Sequence, residues 1–289
     1  MYSIETYRDF TKINGVSKDI LDLDKTFNCG QCFRWRRLKE GTYYGVIFGK
    51  PLIIRQMQFD DGNYGIITTY NRSQVDDILM SYLQLNVDYE KQISLGETDI
   101  FAKEAKKFGQ GIRILGQEPW ETLVSFIISQ RNNIPKIAST IERTCTALGE
   151  KIDIEVEGSK YTGNTFPSAE KIMSVGLVGL QGLGLGYRDV YIIEAAKAVS
   201  NGSFKLNELA SNDIGSEWAI IELQNLYGIG PKVASCIALF GLGKLDSFPI
   251  DVWMQRVIDR YYPKGINIDS YGKLAGLMQQ YMFYYIKNN

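Results

Sequence analysis

Apolar and polar positions change their spacing along the chain near residue 108. Before that point, short runs rich in aromatic and β-branched residues alternate with turn residues. Residues 43–48 and 52–55 flank a Gly-Lys-Pro turn, and residues 64–70 form a further run. Such spacing is typical of β-strands joined by tight turns. The pattern predicts an N-terminal layer over residues 1–108 that contains an antiparallel β-sheet with helices.

Beyond residue 108, apolar residues recur at the three- and four-residue intervals of amphipathic helices. We predict helices at residues 120–129, 134–148, 188–199, 217–226, 231–240, 252–261 and 271–286. The sequence contains neither an internal repeat nor a low-complexity linker. The chain is therefore predicted to be α+β, with an all-helical bundle over residues 109–289 that follows the sheet layer.

Composition removes several kinds of chemistry. The 289 residues include no histidine, which excludes Ser-His-Asp and Cys-His catalysis and most catalytic zinc sites. The four cysteines include one Cys-x-x-C pair, but neither the second pair of a zinc site nor a C-terminal iron–sulfur ligand set. Any chemistry has to rely on lysine, carboxylate, hydroxyl or thiol groups, and no metal ligands are predicted.

Charge and hydropathy narrow the range of partners. The net charge of −1 argues against binding nucleic acid by charge alone. Residues 226–264 nevertheless carry five basic and three acidic side chains, which permits a local basic surface. No window approaches the roughly 18 apolar residues of a membrane span, and the N-terminal residues lack the pattern of a signal peptide. We expect a cytoplasmic protein with no membrane partner.

Two glycines and a proline lie between two predicted helices and form the central motif. The sequence over residues 226–232 is Leu-Tyr-Gly-Ile-Gly-Pro-Lys. Gly228 and Gly230 allow a tight hairpin whose backbone N–H groups approach an anion closely, and Pro231 suits a first helical position. A helix–hairpin–helix of this kind grips DNA phosphates without reading sequence. A plain helix–turn–helix corner fits Gly-Ile-Gly equally well, whereas a dinucleotide-binding loop would need a preceding strand.

Lys232 and Asp251 are the candidate catalytic pair. Lys232 lies in the first turn after the hairpin, where its amine is a candidate nucleophile; a phosphate contact is the simpler interpretation. Asp251 follows Pro249 at the start of the next helix. Its simple role is an N-cap, and a carboxylate fixed in this way also suits a cationic sugar. The pairing of a hairpin lysine with a Pro-x-Asp nineteen residues later is far more specific than either part.

Residues 226–256 resemble the helix–hairpin–helix DNA glycosylases with a Gly-Pro-Asp type loop (HhH-GPD), and the lysine is typical of their bifunctional members. Further segments resemble the 8-oxoguanine DNA glycosylases and follow the order of that family: residues 29–35, 125–134, 184–188 and 279–283. The similar segments span most of the chain. The resemblance implies that residues 109–289 form a helical HhH-GPD glycosylase domain.

The resemblance implies roles for residues that surround a flipped base. Phe283 would stack on one face of the base, and Cys236 would lie against the other. Gln279 would bind its Watson–Crick edge, and the carbonyl of Gly30 would accept the N7–H that distinguishes 8-oxoguanine from guanine. Four-residue spacing places Gln279 and Phe283 on one helix face, and likewise Lys232 and Cys236. Without the resemblance, core packing would account for Phe283 and Cys236.

The resemblance also implies DNA contacts outside the base pocket. Tyr187 and Arg188 resemble residues that wedge into the base stack and contact the opposite base, and Asn133 resembles a loop residue that helps to fill the gap. Arg131 stands where eukaryotic relatives have an asparagine, and Lys136 where they have an arginine that reads cytosine. Because lysine is a point donor, strict cytosine preference is not expected. The predicted DNA-binding residues are Asn133, Arg131, Lys136, Tyr187, Arg188, Gly228, Gly230 and Val233.

The implied activity is excision of 8-oxoguanine from duplex DNA, followed by strand cleavage. Lys232 would form a Schiff base, Asp251 would stabilise the sugar, and β-elimination would release the 3′ phosphate. The chemistry needs no organic cofactor or catalytic metal, and the hairpin carbonyls leave room for a structural monovalent cation. A glycosylase for an alkylated purine and a non-catalytic DNA-binding scaffold are the alternatives. We expect a monomeric, nucleoid-associated protein whose partner is double-stranded DNA containing 8-oxoguanine.

Overall fold

The N-terminal part of the chain contains a six-stranded antiparallel sheet. The computed structural model describes residues 2–60, 62–93, 99–156 and 158–289. The strands are β1 (Ser3–Thr6), β2 (Thr11–Asn14), β3 (Arg36–Lys39), β4 (Thr42–Ile47), β5 (Lys50–Gln58) and β6 (Tyr64–Thr68). They lie in the order β1-β2-β6-β5-β4-β3, with every neighbouring pair antiparallel. The predicted antiparallel sheet layer is confirmed.

The predicted hairpin is formed by β4 and β5, but its turn is shorter than predicted. The two strands pair from Thr42 opposite Arg55 to Ile47 opposite Lys50. Phe48 and Gly49 form the turn, and both have positive φ angles, of 47° and 71°. Two such residues make the tight turn whose twist matches that of the strands. Lys50 and Pro51, which the prediction assigned to the turn, therefore begin β5.

The remaining elements are mostly helical. The helices are α1 (Leu23–Asn28), α2 (Arg72–Gln74), α3 (Met80–Tyr82), α4 (Tyr89–Gln92), α5 (Ile100–Gly109), α6 (Pro119–Ser129), α7 (Ile134–Leu148), α8 (Ala169–Leu180), α9 (Arg188–Ser200), α10 (Ser216–Leu223), α11 (Pro231–Gly241), α12 (Val252–Tyr261) and α13 (Ala275–Asn288). A π-helical stretch, Val75–Leu79, joins α2 to α3, and short 3₁₀ helices span Leu206–Ala210 and Ile268–Leu274. None of the described helices is long and apolar enough to cross a membrane.

The predicted helices are confirmed with two shifts in their bounds. Helix α10 ends at Leu223, three residues before the predicted end at 226. The last predicted helix falls on two elements, the 3₁₀ segment Ile268–Leu274 and helix α13, which begins at Ala275. Within the 3₁₀ segment, Gly272 has a φ of 60° that no α-helix accommodates. The prediction also missed helix α8 and a two-stranded hairpin between α7 and α8, formed by β7 (Lys151–Val156) and β8 (Ser159–Asn164).

Two hydrophobic cores lie under these layers. One packs the sheet against the α2–α3 segment and includes Ile54 and Leu79. The other fills the helical bundle and includes Leu123, Ile237 and Met278. Helix α5, which precedes residue 109 except for its last residue, packs on α13. The helical core thus draws on both sides of residue 108, and the predicted division into residues 1–108 and 109–289 stays a prediction.

Candidate active site

The loop between α10 and α11 is a tight hairpin built around Gly228. Gly228 has a φ of 83°, and a Cβ there would lie 2.4 Å from the Tyr191 ring, so only glycine fits. The amide Nε2 of Gln130 donates to the Gly228 carbonyl over 3.1 Å. Gly230 is exposed and extended, and it caps α11 immediately before Pro231. The first-turn N–H groups of α11 therefore face outward beside a rigid loop, as anion binding requires.

Helix α11 carries Lys232 and Cys236 one turn apart. The Lys232 Nζ lies 5.9 Å from the centroid of the Phe126 ring, and Cys236 is buried. Burial raises the pKa of the Cys236 thiol, while the charge and a hydrogen bond of Lys232 lower that pKa and the charge of Asp251 raises it. The amine and the carboxylate are thus both close enough to the Cys236 thiol to act on it.

Asp251 begins α12 as its N-cap. Its Oδ1 accepts hydrogen bonds from the backbone N–H of Trp253 over 3.0 Å and of Met254 over 2.9 Å. The Asp251 side chain lines the same cavity as Lys232. The two roles that the sequence left open are therefore compatible, because the cap bonds fix one oxygen of the carboxylate beside the cavity.

The predicted base-binding and catalytic residues line one cavity of about 400 Å³. The predicted residues in its wall are Lys232, Asp251, Gly30, Cys236, Gln279, Phe283 and Asn133. Other predicted DNA-binding residues lie outside this cavity: Arg131, Lys136, Tyr187, Arg188, Gly228, Gly230 and Val233. Sequence elements separated by up to 250 residues therefore converge at a single pocket, which is a strong mark of a functional site.

Gly30 forms part of the pocket wall in a conformation that favours glycine. Its φ is 91°, and a Cβ would lie 3.3 Å from Ile134 Cδ1 and 3.6 Å from Phe283 Cε1. The carbonyls on either side are occupied: Gln280 Nε2 donates to the Cys29 carbonyl, and Gln117 Nε2 to the Gln31 carbonyl, both over 2.8 Å. Within the part of the chain that the structure describes, no group donates to the carbonyl of Gly30.

Gln279 and Phe283 face the pocket from α13. Gln279 is 4 % exposed, yet its Oε1 has no hydrogen-bond partner among the described residues. Its neighbour Gln280 is equally buried but bonded to the Cys29 carbonyl. Because Gln279 lines the cavity, its unpartnered acceptor is available to a donor on a bound ligand.

The polar side chains at and before the start of α7 differ in their hydrogen bonding. Asn133 is the N-cap of α7, and its Oδ1 accepts from the backbone N–H of Lys136 over 3.0 Å. Arg131 is exposed and has a φ of 48°, in the left-handed region that side chains rarely adopt. Lys136 is exposed as well. The backbone of this loop thus directs Arg131 outward, while Asn133 is engaged in capping.

Tyr187 and Arg188 are adjacent in sequence but differ in exposure. Tyr187 is 48 % exposed, whereas Arg188 is 8 % exposed. The Arg188 guanidinium donates to the backbone carbonyls of Gln130 and Leu185. Arg188 therefore holds the backbone at Gln130, next to Arg131, and direct contact with the opposite base stays a prediction.

The Val233 side chain is also buried in the core, which leaves only its backbone N–H for DNA.

Sequence reasoning gave no pocket role to several of the lining residues. Among them are Phe33, Phe126, Gln280 and Lys287. Lys287 had a readable signal, because it continues the four-residue spacing of Gln279 and Phe283 along one helix face. The aromatic residues had none, since a pocket wall and a core contact have the same sequence pattern.

The described residues contain no cluster of three or more cysteine, aspartate or glutamate side chains that could hold a metal ion. In the hairpin, the carbonyl of Leu226 accepts from Ile229 N–H over 3.1 Å, and the carbonyl of Gly228 accepts from Gln130. Both carbonyls keep a second lone pair. A monovalent cation at the hairpin stays a prediction.

Comparison with known proteins places the chain in a family. Residues 14–123 match the model of the 8-oxoguanine DNA glycosylase N-terminal domain, and residues 124–275 match that of the HhH-GPD superfamily base excision DNA repair protein. The chain is 31 % identical to the N-glycosylase/DNA lyase of Saccharomyces cerevisiae over 286 residues, covering 87 % of this chain and 71 % of that one.

Solved structures agree with the sequence matches. MBOgg1, in complex with a low affinity DNA ligand, has 36 % identity and a TM-score of 0.88, with 100 % of this chain and 99 % of that chain covered. The Clostridium acetobutylicum 8-oxoguanine glycosylase/lyase, in complex with dsDNA containing cytosine opposite to 8-oxoG, has 30 % identity and a TM-score of 0.87, with 99 % and 98 % covered. The chain therefore belongs to the N-glycosylase/DNA lyase family of the HhH-GPD superfamily, with the N-terminal domain of the 8-oxoguanine DNA glycosylases.

Proposed function

We propose that this protein is a bifunctional DNA glycosylase/lyase that excises 8-oxoguanine from double-stranded DNA in base excision repair. One observation carries the proposal. The pocket that holds the Lys232 amine beside the Asp251 carboxylate is the same pocket that Gly30, Gln279 and Phe283 line. A nucleophile, a carboxylate and a base-sized recess therefore meet at one place, next to a hairpin built for phosphate.

The hairpin and the pocket bind different parts of the DNA. Backbone N–H groups at the start of α11 bind phosphate without regard to sequence. The target nucleotide turns out of the duplex and its base enters the recess. Because Lys232 lies in the first turn after the hairpin, gripping the phosphate brings the sugar of that nucleotide towards the amine.

The proposed reaction is nucleophilic substitution at C1′ by the neutral amine of Lys232. The N–C1′ bond forms as the C1′–N9 bond breaks, and its electron pair leaves with the base. Asp251 stabilises the positive charge on the sugar, because its carboxylate is already held by two backbone N–H groups. The nitrogen then loses one proton, and the C1′–O4′ bond breaks as the C=N bond forms and O4′ takes up a proton, which gives a protonated Schiff base between C1′ and Lys232. Loss of a proton from C2′ then expels the 3′ phosphate and nicks the strand.

Selectivity for 8-oxoguanine is proposed to lie at Gly30. The neighbouring carbonyls of Cys29 and Gln31 are bonded to glutamine amides, and Gly30 lines the cavity. A carbonyl at this position accepts the N7–H of 8-oxoguanine, whereas guanine presents a lone pair at N7 that the carbonyl repels. Gln279, with its unpartnered Oε1, binds a donor on the Watson–Crick edge.

The alternatives rank lower on the same residues. A non-catalytic scaffold has no use for a capped carboxylate that lines the same recess as a lysine amine. A glycosylase for alkylated purines remains similar in fold: a 3-methyladenine DNA-glycosylase from Archaeoglobus fulgidus has a TM-score of 0.69 at 20 % identity.

We further propose that the protein acts as a monomer at the nucleoid, without an organic cofactor or catalytic metal, and that its preference for cytosine opposite the lesion is not strict.

Borohydride trapping tests the proposal. The wild type, Lys232→Gln and the control Lys264→Gln, which changes an exposed lysine outside the pocket, are incubated with a duplex carrying one 8-oxoguanine. We expect a covalent adduct with wild type and control, and none with Lys232→Gln. An adduct that survives in Lys232→Gln would move the nucleophile to another residue. No adduct with any of the three, together with base release, would indicate a monofunctional glycosylase.

A further inference from the structure

Helix α13 presents three side chains to the pocket at four-residue intervals. Gln279, Phe283 and Lys287 all line the cavity. Gln279 is buried, Phe283 is half-buried and Lys287 is exposed. Since the three lie on one helix face, this gradient of burial gives the depth of the pocket. Gln279 lies at its floor, Phe283 forms its wall, and Lys287 is at its mouth.

Lys287 places a positive charge without an ion-pair partner among the described residues at this mouth. Its Nζ lies 5.5 Å from the centroid of the Phe283 ring, and no carboxylate of the described residues forms an ion pair with it. Burial lowers the pKa of Lys287, and the charges of Cys29 and Asp251 raise it. An anion bound beside the ammonium would also raise that pKa, because opposite charges favour the ionised form.

The anion that a glycosylase brings to the mouth of its base pocket is a phosphate. When a base enters the recess, its sugar and the adjoining phosphates stay at the entrance. Selective binding of the base requires hydrogen-bond donors and acceptors at the floor of the pocket, and Gln279 supplies them. An exposed ammonium on a flexible stem is instead a point donor suited to a phosphate oxygen.

We propose that Lys287 binds a backbone phosphate of the flipped nucleotide at the mouth of the pocket. The inference rests on the proposed function, since it takes the ligand to be a nucleotide turned out of duplex DNA. Lys287 then holds the extruded nucleotide from α13, in addition to the grip of the hairpin. The residue acts on binding and on the extruded state and takes no part in forming or breaking bonds.

A duplex containing one tetrahydrofuran abasic-site analogue isolates the phosphate contact, because it has the sugar–phosphate backbone of the lesion but neither a base nor a C1′ leaving group. Binding of the wild type, Lys287→Gln, Lys287→Arg and Lys273→Gln is measured by fluorescence anisotropy over a range of salt concentrations. Lys273 is the matched control, because it is an exposed lysine in the segment before α13 and does not line the pocket.

We expect Lys287→Gln to weaken binding and to reduce the slope of log K against log salt by about 0.9, the value for one phosphate on duplex DNA. Lys287→Arg restores the slope, and Lys273→Gln leaves it as in the wild type. Binding of free 8-oxoguanine to Lys287→Gln stays unchanged, because the free base carries no phosphate.

Two results would overturn the inference. Equal salt slopes for wild type and Lys287→Gln would show that Lys287 does not contact phosphate. Weaker binding of free 8-oxoguanine by Lys287→Gln, with an unchanged slope on the tetrahydrofuran duplex, would assign Lys287 to the base instead. Failure of the proposed function is distinguishable, because it would be seen as a lack of 8-oxoguanine release by the wild type, whereas binding of the tetrahydrofuran duplex does not depend on excision.

Discussion

Two neighbouring glutamines on α13 should respond in opposite ways to the same substitution. Gln279 and Gln280 are 4 % and 3 % exposed, but only Gln280 has its side chain paired within the protein, with the carbonyl of Cys29. The Oε1 of Gln279 has no donor among the described residues. Methionine has a side chain of similar length and no strongly polar atom, so it removes the amide at either position with little change in packing.

The magnitudes follow from the price of a buried polar group without a partner. Such a group costs about 1–3 kcal/mol. Gln279→Met removes one from the free protein and should increase its free energy of unfolding by that amount, whereas Gln280→Met leaves the Cys29 carbonyl unpaired and should lower it similarly. At roughly 2.1 cal/mol/K per residue, a chain of 289 residues shifts its Tm by about 2–5 °C in each direction.

Although Gln279→Met should be the more stable of the two variants, it should be the less active one. Gln279→Met removes the hydrogen bond proposed between Gln279 and the base, so kcat/KM for 8-oxoguanine release should fall roughly 5- to 150-fold, the equivalent of about 1–3 kcal/mol. Calorimetry of the free proteins and single-lesion excision assays measure both effects. A fall in Tm for Gln279→Met as large as for Gln280→Met would refute the reasoning, because it would mean that the Gln279 amide is satisfied in the native protein.

Three further predictions test the pocket. Asp251→Asn keeps the N-cap, so its Tm should stay near that of the wild type while excision falls about 100-fold or more; a Tm loss equal to that of Asp251→Ala contradicts this. Gly30→Ala should reduce excision, whereas Gly202→Ala, whose φ of 75° is similar but whose Cβ would meet nothing within 4 Å, should reduce stability alone. Burial raises the pKa of the Cys29 thiol to about 11, so iodoacetamide should label it at pH 7 only after unfolding, as mass spectrometry will show.

Much of the site could be predicted because its residues lie in motifs with fixed local geometry. The hairpin lysine, the Pro-x-Asp cap and the α13 glutamine are each set by elements a few residues long, and their order along the chain matches the family. These residues line one cavity, and their individual roles in it stay predictions. A sequence motif predicts the position of a side chain only where the backbone of the motif itself fixes that position.

The structure added what depends on distant partners. The sequence places Arg188 after Gly-Leu-Gly-Tyr, but its burial follows from the Gln130 carbonyl 58 residues away. The hairpin of β7 and β8 had a period-two signal in Ile152, Ile154 and Val156 that a helical reading of the region obscured. The start of the last helix was misplaced, because α13 begins at Ala275, after a 3₁₀ segment in which Gly272 adopts a positive φ that composition alone does not reveal.

The base pocket depends on the N-terminal part of the chain as well as on the helices. The Gln31 side chain accepts from Leu115 N–H over 2.8 Å and donates to the Arg113 carbonyl over 2.7 Å. These bonds hold the segment after α1 against residues 113–115, which precede α6. Gln280 pins the same segment to α13 through the Cys29 carbonyl. Gly30 lies between these two anchors. Because the selectivity proposed for the Gly30 carbonyl requires that carbonyl to be held in a fixed position, we propose that the N-terminal layer holds Gly30 against the pocket, while the helices supply Lys232 and Asp251.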